Sequence, residues 1–241
     1  MPDQFKPQED EPAATDWVDE TIPRSAQFDD TYYSKAGGLS ESRHVFLDGN
    51  WLSDRFATAS GEFVIAELGF GTGLNFLAAL ELWKRSAPQD ATLRFISFER
   101  YPLSLADMER ALSRWPELEA EIAPFLEAYT CQTERLEFGN GNLHLTVEMR
   151  DANSGLPQMD FLADAWFLDG FAPSRNPELW NAELMAEVCR HTKPGGSFAT
   201  YTAAGWVRRN LQAAGFHVSK KPGFGGKREM MAGNLPQTDQ S

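Results

Sequence analysis

The stretch EFVIAELGFGTGLNFLAALELWKR (62–85) passes from an apolar run through three alternate glycines, Gly69, Gly71 and Gly73, into residues spaced as on a helix. A buried strand, a bare-backbone turn and a helix in that order fit few folds. Leu74, Leu77, Ala78 and Leu82 recur at helical spacing. The rest of the chain repeats the alternation. LRFISFE, LHLTVEM, DAWFLD and SFATYT read as strands, and FHVSKK and REMMAG as a closing pair around PGFGG. Helical segments are LSLADMERALSRW and ELEAEIAPFLEAY, interrupted at Pro116, then ELWNAELMAEVCRH, which stops at KPGG, and AAGWVRRNLQAAG, closed by Gly215. Such alternation predicts an α/β fold with a mostly parallel seven-stranded sheet and helices on both faces. Ligands of such sheets lie at the carboxyl ends of the strands.

No internal repeat or low-complexity linker divides the 241 residues, so one domain is expected over 21–233. Residues 1–20 are rich in Pro, Gln and acid and read as a disordered acidic tail, and 234–241 as a flexible tail. No apolar stretch approaches the roughly 18 residues of a membrane span, and the N-terminus is acidic where a signal peptide would be basic. A cytoplasmic protein with no membrane partner is expected. Cys131 and Cys189 make no CxxC, and His44, His144, His191 and His217 lack ligand spacing, so no metal site is expected.

The net charge of −13 counts against a nucleic-acid partner as a single number, but its distribution is uneven. Residues 1–20 carry −6 and 21–170 carry −11, whereas 171–230 hold nine basic residues against four acidic ones. One part of the chain is basic.

Three ligand classes use a glycine turn after a first strand. No Lys-Ser or Lys-Thr follows these glycines, which excludes a phosphate-cradling NTPase loop, and a GxGxxG dinucleotide turn would need a third glycine where Leu74 stands. The pattern is instead E-x-G-x-G-x-G, with Glu67 inside the strand end. It suits a nucleoside ligand without pyrophosphate that bears cationic and hydroxyl groups, such as S-adenosylmethionine. Tight strand-to-helix packing would also use such glycines. Further acids mark the same edge: Glu99 ends LRFISFE, Asp151 follows LHLTVEM and Asp169 ends DAWFLD. Glu99 is suited to both ribose hydroxyls and Asp151 to an adenine amino group, although each acid alone would equally serve as a helix cap or a solvated group.

FDDTYYSKAGGLSESRHVFLDGN (28–50), ELGFGTGLNFL (67–77), DAWFLDGFAPSRNPELW (164–180) and GFGGKREM (223–230) resemble the methyltransferase half of the bifunctional MnmC family of tRNA wobble-uridine enzymes, called MnmD when it stands alone. The resemblance covers about 28 to 233, with His44 in place of an expected aromatic and Asn210 in place of a small residue. It implies a Rossmann-like class I S-adenosylmethionine-dependent methyltransferase with a family-specific N-terminal segment, 28–62. It also implies N-methylation of 5-aminomethyl-2-thiouridine at the tRNA wobble position. The expected cofactor set is Glu67, Gly69, Phe70, Gly71, Gly73, Asn75, Glu99, Asp151 and Asp169. Asp169, followed by a Gly-Phe-Ala-Pro turn, is the expected catalytic residue, accepting the proton of the substrate amine.

The basic part then has a use on a tRNA anticodon stem-loop. Arg175, Arg208, Arg209, Lys227 and Arg228 are the candidates, with Arg43 and Tyr33, beside Tyr32, from the segment expected to fold over the cofactor. Phe171 and Trp180 are candidates to sandwich the base, with core packing at least as good a reading of Trp180. No GxGxxG is present for the flavin oxidase of the bifunctional enzymes, so a separate oxidase, or the enzymes that install the aminomethyl group, are expected partners. Two rivals remain at this point. One is methylation of a small amine metabolite, and the other is a non-catalytic RNA-binding module on a methyltransferase scaffold.

Overall fold

The computed structural model describes residues 13–129, 135–139 and 141–237. Residues 1–12 and 238–241 of the expected tails, and Cys131, lie outside the described residues. The N-terminal segment opens with β1 (Thr15–Val18), β2 (Ile22–Ser25) and β3 (Asp30–Thr31), paired antiparallel in a small sheet of their own. This corrects the expected disorder of 1–20 over Thr15–Val18. Trp17 supplies the anchor, its ring lying 3.9 Å beneath the Arg110 guanidinium. The segment continues through α1 (Gly38–Ser42), a π-helical turn over Arg43–Asp48, and α2 (Leu52–Ala57).

The repeating unit follows: β4 (Glu62–Leu68), α3 (Leu74–Ser86), β5 (Thr92–Phe98), α4 (Leu105–Leu112) and α5 (Glu119–Ala128). Next come β6 (Arg135–Phe138), β7 (Leu143–Glu148), α6 (Ala152–Gly155), β8 (Ala163–Leu168) and α7 (Ala182–Arg190). The chain closes with β9 (Thr192–Thr200), α8 (Gly205–Ala214), β10 (His217–Pro222) and β11 (Glu229–Asn234). Side-chain caps set several starts: Ser104 accepts from Asp107 N–H and Asn181 from Leu184 N–H. The Asn181 cap splits the helix expected over 178–191 into a 3₁₀ turn (Pro177–Trp180) and α7.

The main sheet has the order β10-β11-β9-β8-β4-β5-β7-β6. The seven expected strands are present, and β6 adds an eighth, antiparallel to β7 at the edge. Strand β9 extends through the expected KPGG stop, with an irregularity of register between Ala163 and Ala165 of its neighbour β8. The central strands β7, β5, β4, β8 and β9 run parallel. Side chains alternate between two buried faces. Ile65, Phe95 and Phe167 pack on one with α3 and α5, and Val64, Ile96 and Trp166 on the other with α7 and α8. Glu67 falls on the α3 face, two residues beyond Ile65. Among the described residues no helix is long and apolar enough to cross a membrane.

Candidate active site

At the carboxyl edge, the turns after β4 and β8 touch backbone to backbone. A Cβ on Gly69 would lie 3.0 Å from Gly170 Cα, and Gly69 has φ +84°. Only glycine fits both constraints. Gly71, at φ +54°, faces Tyr32, whose Cδ1 would stand 3.2 Å from an added Cβ. Between these turns and the ends of β5 and β7 lies a cavity of about 460 Å³. Gly69, Gly71, Glu99, Asp151, Asp169, Phe171 and Arg175 line it, so the structure brings these expected residues together. The N-terminal segment covers it with Phe28, Thr31 and Tyr32. Asp30 holds that cover by accepting from Ala172 N–H at 2.8 Å.

Glu99 accepts from Gly71 N–H through Oε2 and from Tyr101 N–H through Oε1, both at 2.8 Å. Burial raises its pKa, opposed by those backbone N–H groups. Asp151 caps α6, accepting from Asn153 N–H at 2.8 Å, while its other oxygen meets Arg100 at 3.1 Å. Both oxygens are engaged within the wall of the cavity. Asp169 accepts from Gly170 N–H through Oδ1 and from Asn75 Nδ2 through Oδ2, each at 2.8 Å. Burial pushes its pKa up to about 7, against the pull of those two donors. Glu41 and Lys227 act on it in opposite senses, and they are themselves paired at 2.7 Å. The Lys227 ammonium also stands 4.3 Å from the Tyr201 ring, and the Tyr201 hydroxyl donates to Gly170 O.

Several expected residues lie elsewhere. Glu67 is fully buried and outside the cavity, with Ser97 Oγ and Asn75 Nδ2 donating to it at 2.7 and 2.9 Å. Burial raises its pKa well above the usual carboxylate range. Strand alternation accounts for the correction, because it turns this side chain under α3. Gly73 is the left-handed N-cap of α3, against the Phe70 ring, and Phe70 itself packs on Phe125. Asn75 borders a smaller cavity of about 50 Å³ with Ser42 and Glu41.

Tyr33 is buried against Trp115, its hydroxyl donating to Thr21 O, and offers no surface to RNA. Phe171 is stacked on Phe28 at 4.8 Å and met edge-on by Tyr32 at 5.1 Å, which occupies the ring proposed to hold a base. Trp180 is core, donating to Phe171 O. Arg175 pairs with Asp29 at 3.1 Å and Arg43 lies 3.7 Å from Glu81. Arg208, Arg209 and Arg228 form no ion pair among the described residues. Sequence reasoning missed Phe28, Glu41 and Ser42. All three lie in the family-like segment 28–50, but nothing local in it gives any of them a role.

A glycine turn after the central strand, acids at the ends of its neighbours and a covered cavity between them define a Rossmann-like class I methyltransferase. Residues 116–236 match the family described as S-adenosyl-L-methionine-dependent methyltransferase. The chain belongs to that family, and S-adenosylmethionine is its cofactor. It is 51% identical over 92% of its length to the tRNA 5-methylaminomethyl-2-thiouridine biosynthesis bifunctional protein MnmC of Pseudomonas fluorescens. It is 46% identical over 98% of its length to the protein of that name from Marinobacter nauticus. It spans 35% and 38% of those proteins, about a third of the length of the curated relatives it matches. The solved structure of MNMC2 from Aquifex aeolicus superimposes with a TM-score of 0.75 at 25% identity, over 98% of this chain and 75% of that one.

Proposed function

We propose that the chain methylates the exocyclic amine of 5-aminomethyl-2-thiouridine at the wobble position of tRNA, giving 5-methylaminomethyl-2-thiouridine. The observation that carries this reading is the 51% identity to a protein named for biosynthesis of that nucleoside, in a chain whose own chemistry is methyl transfer. The residues fit the cofactor. The bare backbone at Gly71 keeps the cavity clear beside Tyr32, and the carboxylates of Glu99 and Asp169 suit a ligand with a ribose diol and two cationic groups. Bound S-adenosylmethionine supplies an electrophilic methyl group on a sulfonium.

The protein must supply a neutral amine. A lysine-like primary amine has a pKa near 10.4, so about one molecule in 2,500 is neutral at pH 7. In this reading Asp169 takes the proton, supported by its position at the cavity wall and its pKa of about 7. Alignment of amine and methyl group is the larger effect, up to roughly 7–11 kcal/mol. Arg208, Arg209 and Arg228, which form no ion pair among the described residues although Arg208 and Arg228 act on Glu229, suit a tRNA backbone, which favours a nucleic-acid substrate over a small amine. A cytoplasmic location and supply of the amine by an oxidase activity or by the installing enzymes belong to the same proposal. Nucleoside mass spectrometry of tRNA bearing the 5-aminomethyl group, after incubation with protein and S-adenosylmethionine, tests it. Gain of one methyl group at that nucleoside supports the reading, and an unchanged nucleoside overturns it.

A further inference from the structure

The Asn75 side chain has both of its amide hydrogens committed to acids. One points to Glu67 Oε1 at 2.9 Å and the other to Asp169 Oδ2 at 2.8 Å, while Ser42 Oγ–H donates to Asn75 Oδ1. A primary amide has two N–H donors, so none remains for a ligand. The orientation shown suits ionised acids, because turning the amide over would aim its oxygen at the carboxylate oxygens of Glu67 and Asp169. Ser42 is 3% and Asn75 8% exposed, which shields the arrangement from water.

We propose that Asn75 is a positioning residue for Asp169, locked in place by Ser42. It holds Oδ2 from behind, as Gly170 N–H holds Oδ1, so that the remaining lone pairs of Asp169 meet the cavity and stay available for a proton. The inference deepens the proposed function and rests on the proton-accepting role of Asp169. Ser42 belongs to α1, so the N-terminal segment reaches the reacting carboxylate through one amide as well as covering the cavity.

The ionisable surroundings decide what the lock does. Glu67 stands behind Asn75 on β4, Glu41 approaches from α1, Lys227 from the β10–β11 loop and Tyr201 from the end of β9, with Glu99 and Asp30 further out. Burial and Glu41 favour the protonated acid; Asn75, Gly170 N–H and Lys227 favour the carboxylate, Asn75 most of the three. Without the amide, the acid would hold its proton to higher pH.

The test compares wild type, Asn75→Ala and Ser42→Ala in single-turnover methylation of aminomethyl-bearing tRNA, and in calorimetric binding of S-adenosylmethionine, from about pH 6 to about pH 9. The acid limb of the rate should move up by about one pH unit in Asn75→Ala and by less in Ser42→Ala. Cofactor affinity at the alkaline end should stay within about threefold of wild type. An unmoved acid limb in both variants, or a loss of cofactor affinity that persists at the alkaline end, overturns the inference. Should Asn75→Ala fail to fold, Ser42→Ala decides alone, since it leaves every atom of Asn75 in the chain. The calorimetry needs no tRNA. Affinity for the cationic cofactor should fall as Asp169 gains a proton, and the midpoint of that fall should move with the rate limb. Wild type that binds the cofactor with this pH dependence yet leaves tRNA unmodified would sink the proposed substrate while the variants still decide the inference.

Discussion

Gly71 N–H donates to Glu99 Oε2 at 2.8 Å, so the glycine turn after β4 is held to the end of β5 by a carboxylate that also faces the cavity. Glu99 therefore acts on both the wall and its contents. Glu99→Ala should weaken S-adenosylmethionine binding by about 2–3 kcal/mol, through lost charge-assisted contacts and a loosened turn. Calorimetry measures it; an affinity unchanged within experimental scatter would remove Glu99 from the cofactor site.

Asp169 should separate chemistry from binding. In Asp169→Asn the side chain still accepts from Gly170 N–H but loses its basicity. Turnover should fall by about 10²-fold or more, with cofactor affinity within about tenfold. Near-normal turnover would show that the amine sheds its proton to another group.

The same carboxyl makes stability depend on pH. Its pKa is about 7 in the folded chain against a reference of 3.8, so between those values the folded state holds a proton that the unfolded state releases. Stability without ligand should fall as pH rises through that window and level off above about 7. Asp169→Asn removes the effect. Its melting temperature should exceed that of wild type at alkaline pH by roughly 2–4 °C per kcal/mol released, with the gap closing toward about pH 4. Scanning calorimetry of both proteins at the two extremes measures it, and a gap that is constant with pH would mean that Asp169 is already ionised throughout.

Gly69 should tolerate no side chain. Gly69→Ala would place Cβ 3.0 Å from Gly170 Cα and 3.1 Å from its nitrogen, at a backbone φ of +84°. Neither neighbour is a flexible side chain. The expected cost is about 1–3 kcal/mol of stability together with loss of cofactor binding, because the two turns must part. Chemical denaturation and calorimetry report the two effects; a variant of full stability and affinity would refute the close approach.

Salt should distinguish basic residues held in an ion pair from those without one among the described residues. The affinity for tRNA should fall with added salt, and alanine at both Arg208 and Arg209 should flatten the slope by about one or two units. Arg175→Ala should change it less, since Asp29, shared with Arg24, offsets part of that charge at 3.1 Å. Equal effects from both would return the basic part of the chain to ordinary solvated surface.

The strands and the glycine turn were legible in the sequence because each depends on a local pattern: apolar runs, and glycines where φ must be positive. The position of Glu99 and Asp169 on the cavity wall was legible for a related reason, as acids at strand ends fall on the carboxyl edge of a parallel sheet. Glu67 was misplaced by the same rule, since alternation along β4 turned it beneath α3, one residue short of the edge. Tyr33 and Tyr32 are adjacent in sequence, yet one is core and the other lines the cavity, a choice made by packing on Trp115 and Phe171. Glu41 and Ser42 lie in the family-like segment 28–50, yet nothing beside them in sequence shows what they do. Their partners Lys227 and Asn75 are 186 and 33 residues away, and only the folded α1 presents them together.

The order of the main sheet bears on how the protein is made. Strand β4 pairs on one side with β5, thirty residues on by the Glu67–Ser97 register, and on the other with β8, a hundred residues on by the Glu67–Phe167 register. The first pairing closes a short loop and the second a long one, at a larger entropic cost. During synthesis, the clamp of Glu99 on Gly71 can therefore form well before Asp169 has left the ribosome. A nascent chain would pass through a stage in which one wall of its cavity exists and the other does not, with the Leu68 edge of β4 awaiting Leu168. Cofactor present at that stage has half a site to meet, and methyl transfer waits for the late strand.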